Sequence, residues 1–408
     1  MDTDIAIIGA GPAGLAAAAE LGRLGAGRIT VLEREPVPGG IPRHCAHSPF
    51  GMREFHRILG GQSYATRLAA AARAAGAQIL CHTTATALHD GPTLELTGPD
   101  GTTRLTARAV LLATGTREAS RVQRGIGGQK PGGVLPTGAL QGLVHLNHQV
   151  PFRRPVVLGS ELVSFSALLT CRQAGIHPVA MVEPGPHILA RTPSGLLPRL
   201  MGVALHLNTR IAAIHGRDRV TGVTLEGPEG ETHLDCDGAL LTGAFRSEAA
   251  LLEAAGDDPG KVIDPRSTGP VIDSFGRTFG HGYFAAGNLL RPVETAGTCW
   301  EEGRRAARAI HAFLQGALPD TAQGLPLTIR SDVIRYALPQ LLFLDGPGRH
   351  EKIQLRVTRP VRGVLQLRQG PIIVASHRIN ARPERRVTMP LPRSLLSDPL
   401  TLTLEETA

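Results

Sequence analysis

The feature that most constrains the fold is a glycine-rich turn between an apolar strand and a helix near the start of the chain. The run Asp4–Ile8 predicts a short buried strand, and Leu15–Leu24 predicts a helix. The turn between them has the spacing GxGxxG and consists of Gly9, Ala10, Gly11, Pro12, Ala13 and Gly14. The first glycine permits a tight turn, the second leaves room for a pyrophosphate, and the third lets the helix pack closely against the strand. Because a helix N-terminus also offers free N–H groups and a positive dipole, the turn predicts a dinucleotide site.

An acidic residue follows at the position that such a site requires. Arg28–Leu32 predicts a second strand, and Glu33 stands directly after it. The Glu33 carboxylate can accept hydrogen bonds from a ribose diol. We place Arg34, the next residue, in the same site. This motif alone fits either FAD or NAD.

Two later segments resemble the two-dinucleotide-binding-domain flavoproteins, which form the pyridine nucleotide-disulfide oxidoreductase superfamily of glutathione reductase and thioredoxin reductase. The apolar run 109–112 continues into Ala113, Thr114 and Gly115, and the run 283–286 continues into Gly287 and Asn288. The resemblance implies that the first segment closes an FAD domain and that the second binds the flavin ribityl chain. Asn288 replaces the aspartate of the family, and its amide can still bind hydroxyl groups.

The same resemblance implies a last helix over residues 296–310. Its first turn, with Thr295, Ala296 and Gly297, would lie at the flavin ring. A helix N-terminus at that place stabilises negative charge on a reduced flavin. The resemblance covers residues 1 to 315 of the chain, and it predicts an α/β fold with an FAD domain and a second Rossmann-like domain.

The segment GGIPRHCAHSPFG lies where disulfide reductases of this superfamily carry a redox cysteine pair. Here Pro42 and His47 occupy the two expected positions, and Cys45 stands alone. The thioredoxin reductase pair of the second domain is absent as well, and a dithiol relay needs two sulfurs, so we predict no disulfide reductase activity. We assign Gly40, Ile41, Pro42 and Arg43 to the cofactor and His44, Cys45 and His47 to catalysis. A histidine here could move a proton, although these side chains could equally bind cofactor and backbone without chemistry.

The second Rossmann-like unit carries an altered fingerprint. Pro155–Leu158 predicts its first strand and Gly159 begins its turn, but Glu161 and Ser164 replace the second and third glycines. The Glu161 carboxylate would repel a pyrophosphate and prevent close approach to the backbone. We therefore predict a degenerate NAD(P) site, with a shifted loop that still binds NAD(P)H as the alternative.

The chain divides into four predicted segments. Residues 1–150 and 263–324 form the FAD domain, and residues 151–262 form the NAD(P)-like domain between its two parts. Residues 325–408 alternate apolar and polar side chains, which predicts a small antiparallel β domain.

Composition excludes several classes of protein. The net charge is +8, but the basic residues are scattered and only 3% of residues are aromatic, so we predict no nucleic-acid groove. Five widely spaced cysteines without a CxxC argue against a disulfide framework, a zinc site or an iron–sulfur cluster, and we predict no metal. No signal peptide and no membrane span are predicted, which favours a cytoplasmic location.

The segment around Cys45 narrows the resemblance further. It resembles the FAD-binding α-type subunits of heteromeric opine, hydroxyproline and proline dehydrogenases, and flavoprotein partners of anaerobic-type glycerol-3-phosphate dehydrogenase. This implies an FAD subunit that takes electrons from a separate subunit oxidising a small metabolite. Two alternatives remain. The chain could be a stand-alone NAD(P)H-dependent flavin oxidase or reductase, or an FAD-binding scaffold that docks a partner through its tail and does no chemistry.

Overall fold

The first layer of the fold is a five-stranded parallel sheet. The computed structural model describes residues 2–190, 194–255, 262–278, 280–392 and 398–407, so Met1 and Ala408, the outer limits of the predicted domains, lie outside it. The strands of this sheet are β1 Ile5–Ile8, β2 Ile29–Leu32, β3 Gln78–Leu80, β7 Ala109–Leu112 and β19 Tyr283–Ala285, in the order β19-β7-β1-β2-β3. β1, β2, β7 and β19 are buried along their whole length, as expected for a parallel sheet that is covered on both faces. The strand order reverses direction at β1, and ligands bind beyond the carboxyl ends of strands at such a point.

A second parallel sheet follows. Its strands are β10 Val134–Pro136, β11 Pro155–Leu158, β12 Ala180–Glu183, β13 Ala204–Leu207 and β17 Gly238–Leu241, in the order β10-β17-β11-β12-β13. The edge strand β10 precedes the predicted boundary between residues 150 and 151 and pairs with β17 of this sheet. Ala249 and Leu252, which precede the predicted return to the FAD domain at residue 263, pack in the core of the first unit. A three-residue strand and a short helix give too little periodicity to mark these boundaries in the sequence.

Smaller sheets join and extend the two layers. β8 Thr116–Glu118 pairs with β18 Phe245–Ser247, and these two strands lie where the chain leaves the first parallel sheet and where it returns from the second. The other strands are β4 Thr84–His89, β5 Thr93–Gly98 and β6 Gly101–Thr106 in one sheet, and β9 Gly127–Gly128, β14 Arg210–His215, β15 Gly222–Gly227 and β16 Gly230–Asp235 in another.

The C-terminal region forms two further sheets around a core of its own. One contains β20 Leu325–Ile329, β22 Leu341–Leu342, β24 Val361–Gln369, β25 Ile372–Ala381 and β27 Leu400–Glu406, and the other contains β21 Ile334–Leu338, β23 Lys352–Val357 and β26 Val387–Pro390. The pairing is antiparallel except between β20 and β27, which run parallel. Tyr336 and Leu338 of β21 are buried in the core of the first unit, so the tail packs against it directly.

The helices pack against these sheets. In the part of the chain that the structure describes, the α-helices are α1 Pro12–Arg23, α2 Gly61–Ala74, α3 Thr137–His145, α4 Leu162–Gln173, α5 Leu197–Leu200, α6 Ala250–Ala255 and α7 Ala296–Leu314. α1 and α7 approach closely, since a Cβ on Gly303 would lie 2.0 Å from the Ala13 carbonyl oxygen. Among the described residues, no helix combines the length and apolarity that crossing a membrane requires.

One buried carboxylate ties α1 to α7. Glu20 is 4% exposed, and its oxygens accept hydrogen bonds from Arg23, Arg304 and Arg308 at 2.9 to 3.1 Å. Burial by itself raises the pKa of Glu20, but the three guanidinium groups outweigh burial and hold the pKa at about 2. The ionised carboxylate therefore stabilises the folded chain.

We expect Glu20→Gln to lower the free energy of unfolding by about 2 kcal/mol at pH 7. This value is smaller than the full pKa shift would give, because two of the three guanidinium groups are half-exposed and water screens their charge. The folded pKa lies below the ordinary value, so this stabilisation is complete above pH 4.5 and is lost as the pH falls towards 2. Urea unfolding of both proteins at several pH values should show the difference shrinking in that window. A difference that stays constant from pH 7 to pH 3 would contradict the assignment.

Candidate functional site

The glycine turn after β1 lies at the carboxyl end of the first sheet, with α1 directly behind it. Gly9 has a φ of +104°, and a Cβ there would lie 2.5 Å from the Ala113 carbonyl oxygen. A Cβ on Gly14 would lie 2.0 Å from the Gly9 carbonyl oxygen. A Cβ on Gly11, by contrast, would have no protein atom within 4 Å. Two glycines are thus required by packing, and the third leaves an open space in front of the backbone at the N-terminus of α1.

The acidic residue after β2 belongs to the same site. Glu33 is buried, and its carboxylate accepts hydrogen bonds from the backbone N–H of Ala10 at 3.0 Å and of Glu35 at 2.9 Å. Each oxygen keeps a lone pair for a further donor. The neighbouring Arg34 is exposed to solvent.

The segment from Gly40 to Arg43 lies against the turn at Gly11. Gly40 has a φ of +60°, and a Cβ there would lie 2.8 Å from the Gly11 Cα. Ile41 to Arg43 lie in a 3-10 turn, in which Ile41 is exposed and Pro42 is buried. The Arg43 Nη2 lies 3.4 Å from Glu35, whereas its buried Nε has no hydrogen-bond partner among the described residues. A buried donor without a partner indicates a place for an acceptor from a bound molecule.

Two segments of the first sheet close the site from the other side. Thr114 follows β7 and donates its hydroxyl to the Glu248 carbonyl at 2.7 Å, and Gly115 has a φ of +79°. Gly287 follows β19 and lies against α1, since a Cβ there would be 2.7 Å from the Ala13 Cβ.

Asn288 is held by the loop that leads to α7. Its Oδ1 accepts from the Glu294 N–H at 2.7 Å, and its Nδ2 donates to the Glu294 carbonyl at 3.2 Å. Thr295 caps α7 by accepting a hydrogen bond from the N–H of Thr298. Ala296 opens the helix, and a Cβ on Gly297 would lie 3.2 Å from the Arg53 side chain.

The three predicted catalytic side chains lie together on one 3-10 turn and the chain after it. His44 contacts the Gly138 carbonyl through Nδ1 at 3.4 Å. A carbonyl only accepts, so this contact places the proton of the neutral ring on Nδ1 and leaves Nε2 as an acceptor. Burial lowers the pKa of His44 and of His47, and His47 stacks on Phe50 with ring centroids 5.4 Å apart. Both rings are therefore neutral at pH 7 and able to take up a proton.

Cys45 has a different character. Its side chain is buried, and its Sγ lies 3.6 Å from the Ile41 carbonyl and 3.7 Å from the Gln141 side chain. Burial raises the pKa of the thiol to about 11. Since the thiolate is the reactive form, this environment favours a hydrogen-bonding role over a nucleophilic one.

Sequence reasoning missed the helix that covers these three residues. One stripe of α3 faces them at spacings of three and four residues, and it contains Gly138, Gln141, Gly142 and His145. Burial lowers the pKa of His145, and a charge on the His47 ring lowers the pKa of His145 further, so the two rings lie near each other. Its Nε2 lies 3.3 Å from the Thr170 hydroxyl of α4. Nearly a hundred residues separate this helix from His47, and its short sequence carries no recognisable motif.

The turn of the second sheet differs from the first at its second and third glycine positions, which hold Glu161 and Ser164. Gly159 has a φ of +109°, as Gly9 does, and Ser164 bonds to the Thr242 hydroxyl where a third glycine would pack. The Glu161 carboxylate turns back and accepts from the Ala244 N–H at 2.8 Å. It also fills the space beside Gly243, where a Cβ would lie 2.4 Å from its Oε1. A side-chain carboxylate thus occupies this turn.

The comparison with protein families decides where this fold belongs. A model described as pyridine nucleotide-disulphide oxidoreductase matches residues 3–312. The chain belongs to the pyridine nucleotide-disulphide oxidoreductase family. The predicted family is confirmed, and membership makes the chain a flavin-dependent oxidoreductase.

Relatives of this oxidoreductase are named as subunits of oxidases. The chain is 27% identical over 339 residues to an opine oxidase subunit of Agrobacterium tumefaciens (strain Ach5), and the match covers 76% of the chain and 66% of that protein. It is 28% identical over 200 residues to the alpha chain of a sarcosine oxidase of Rhizobium meliloti (strain 1021), and this match covers 45% of the chain and 19% of that protein. The chain therefore spans less than two thirds of the length of either relative.

Solved structures support the fold. The T. acidophilum thioredoxin reductase superimposes with a TM-score of 0.63 at 21% identity, over 76% of this chain and 98% of that one. The L-proline dehydrogenase from P. horikoshii superimposes with a TM-score of 0.59 at 17% identity, over 78% of this chain and 57% of that one. The predicted thioredoxin reductase-type α/β architecture with additional C-terminal sheets is confirmed. The cytoplasmic location and the absence of a nucleic-acid partner stay predictions.

Proposed function

We propose that the oxidoreductase is the FAD-carrying, electron-accepting subunit of a multi-subunit dehydrogenase or oxidase that acts on a small metabolite such as an amino acid, an opine or a polyol phosphate. In this proposal it neither reduces disulfides nor uses NAD(P)H. The names of the oxidase subunits to which it is similar support a partner subunit that oxidises the substrate.

The residues of the first turn fit FAD. The open space at Gly11 admits a pyrophosphate to the N-terminus of α1, and the spare lone pairs of Glu33 suit a ribose diol. The buried Arg43 Nε offers a donor. Bound FAD would supply a ring that accepts a hydride or an electron pair and then passes the electrons on.

The protein's own residues would serve that chemistry in two ways. The Nε2 of neutral His44 can accept a proton, and His47 beside it can pass a proton on. The N-terminus of α7 directs its positive end toward the site and stabilises negative charge there. We give Cys45 no chemical step, since its buried thiol stays protonated at neutral pH.

Glu161 is the observation that carries the proposal. Its carboxylate replaces the second glycine of the turn and bonds to the Ala244 N–H, so a nucleotide phosphate would meet a like charge there. The five cysteines are free, and Cys45 lies without a second sulfur in hydrogen-bond contact. This arrangement disfavours the stand-alone NAD(P)H-dependent reductase and the disulfide reductase alike.

We expect anaerobic NADH and NADPH to leave the flavin of the purified protein oxidised, whereas dithionite bleaches it. Glu161→Ala should strengthen NADH binding by about tenfold, because it removes one repulsive charge from the turn. Glu231→Ala, which removes an exposed carboxylate from the same region, is the matched control and should change nothing. Rapid bleaching of the wild-type flavin by either nucleotide would refute the proposal in favour of the stand-alone reductase.

A further inference from the structure

The C-terminal sheets contact the loop that leads from β19 to α7, which we call the 287–295 loop. Arg291 of this loop is 1% exposed and donates Nη1 to the Gly287 carbonyl at 2.8 Å and to Glu302 at 3.0 Å. Its Nη2 donates to Glu302 as well and to the Gln354 side chain at 3.2 Å. Gln354 belongs to β23, so the tail supplies one partner of a guanidinium that is buried beneath the candidate flavin site.

A second connection is more direct. Arg356, also on β23, donates Nη2 to the Val293 carbonyl at 2.6 Å and to the Glu294 carboxylate at 3.3 Å. Arg386 lies 3.5 Å from the other oxygen of that carboxylate, whose side chain is 8% exposed. Glu294 is thus a nearly buried carboxylate, and two of its cationic neighbours, Arg356 on β23 and Arg386 just before β26, come from the C-terminal region, while Arg291 of the loop itself also interacts with its charge.

The backbone of Glu294 in turn holds the predicted flavin contact. Its N–H and its carbonyl form the two hydrogen bonds to the Asn288 amide, and the next residue, Thr295, caps α7. A displacement of Glu294 would therefore move both Asn288 and the N-terminus of α7. These are the groups that we expect to bind the ribityl chain and to stabilise a reduced ring.

We propose that Arg356 is a positioning residue of the flavin site, and that the C-terminal sheets set the place of Asn288 and of the first turn of α7 through it. The family match ends at residue 312, so these contacts come from a part of the chain that family membership does not account for. The inference rests on the proposed function only in requiring that the site holds FAD. It assigns the tail a role at the cofactor, whether or not the tail also binds a partner.

The experiment compares Arg356→Met with Arg359→Met in the full chain. Arg359 lies just beyond the same strand, and its ion pair with Glu406 is exposed, so its loss should affect neither the loop nor the flavin. Each protein is freed of flavin and titrated with FAD by fluorescence quenching, and the midpoint potential of the reloaded protein is measured. Urea unfolding of each protein reports stability separately.

We expect Arg356→Met to weaken binding of oxidised FAD by about tenfold and binding of reduced FAD by about tenfold more, and this further tenfold corresponds to a shift of the two-electron potential by about 30 mV in the negative direction. Arg356→Lys, which keeps the charge, should recover part of both changes. Glu294→Gln keeps the size and backbone of the loop residue while removing its charge, and it should shift both quantities in the same direction. If Arg356→Met does not fold, the Glu294→Gln protein still tests the proposal, because it removes the same ion pair.

Folded Arg356→Met and Glu294→Gln proteins with the affinity and potential of wild type would overturn this inference and leave the proposed function intact. A wild-type flavin that NADH reduces would refute the proposed function but not the positioning role. A wild-type protein that binds no flavin would refute both.

Discussion

Gly11→Ala is expected to abolish stable FAD binding while leaving the fold intact, with an affinity lower by about a hundredfold or more. The backbone at Gly11 has φ −81° and ψ −174°, which alanine adopts readily, and a Cβ would meet no protein atom within 4 Å. The added methyl group would instead enter the space that a pyrophosphate needs. Flavin absorbance of the purified protein and FAD titration of the flavin-free protein measure the effect.

Gly14→Ala separates this effect from damage to the fold. Its Cβ would lie 2.0 Å from the Gly9 carbonyl oxygen, so α1 would have to move away from the turn. We expect that variant to lose thermal stability even without flavin, unlike Gly11→Ala. A Gly11→Ala protein that purifies with its full complement of flavin would show that the cofactor does not bind against this turn.

Arg291→Met is expected to lower the free energy of unfolding by about 3–5 kcal/mol, because it leaves a buried carboxylate without its charge partner. Arg291 is 1% exposed and Glu302 is 3% exposed, and the guanidinium also satisfies the Gly287 carbonyl. Urea unfolding at neutral pH measures the loss. The exposed pair between Arg359 and Glu406 provides the comparison, since water screens that pair and Arg359→Met should lower the free energy of unfolding far less.

The double variant Arg291→Met/Glu302→Met tests whether the loss comes from the unpaired charge. Replacing both members of a buried pair by apolar side chains is often close to neutral, so the double variant should be more stable than Arg291→Met alone. If the double variant were less stable than the single one, the unpaired charge of Glu302 would not be the source of the loss, because the hydrogen bonds that Arg291 donates to Gly287 and Gln354 are absent from both variants.

The candidate site shows how far local sequence reaches. The turn from Gly9 to Gly14 could be identified because its spacing reflects backbone sterics within a few residues, and the structure gives each glycine a distinct physical reason. Glu161 could likewise be identified as an obstruction to a pyrophosphate, since the comparison with the first turn needs only the residues of one short segment. The Glu161 carboxylate accepts a hydrogen bond from the Ala244 N–H. This contact could not be predicted, because it depends on a loop about eighty residues away.

The sequence by itself determined the family, the two parallel sheets and the position of the glycine turn after β1, because strand, turn and helix signals act over short separations. Only the tertiary structure decided which elements meet. In the folded chain, α3 packs over His44 and Cys45, and β10 pairs with the second sheet. Arg356 of the tail forms an ion pair with Glu294. These contacts join segments tens to hundreds of residues apart, and their geometry depends on how whole sheets and helices pack, which no local pattern of side chains encodes.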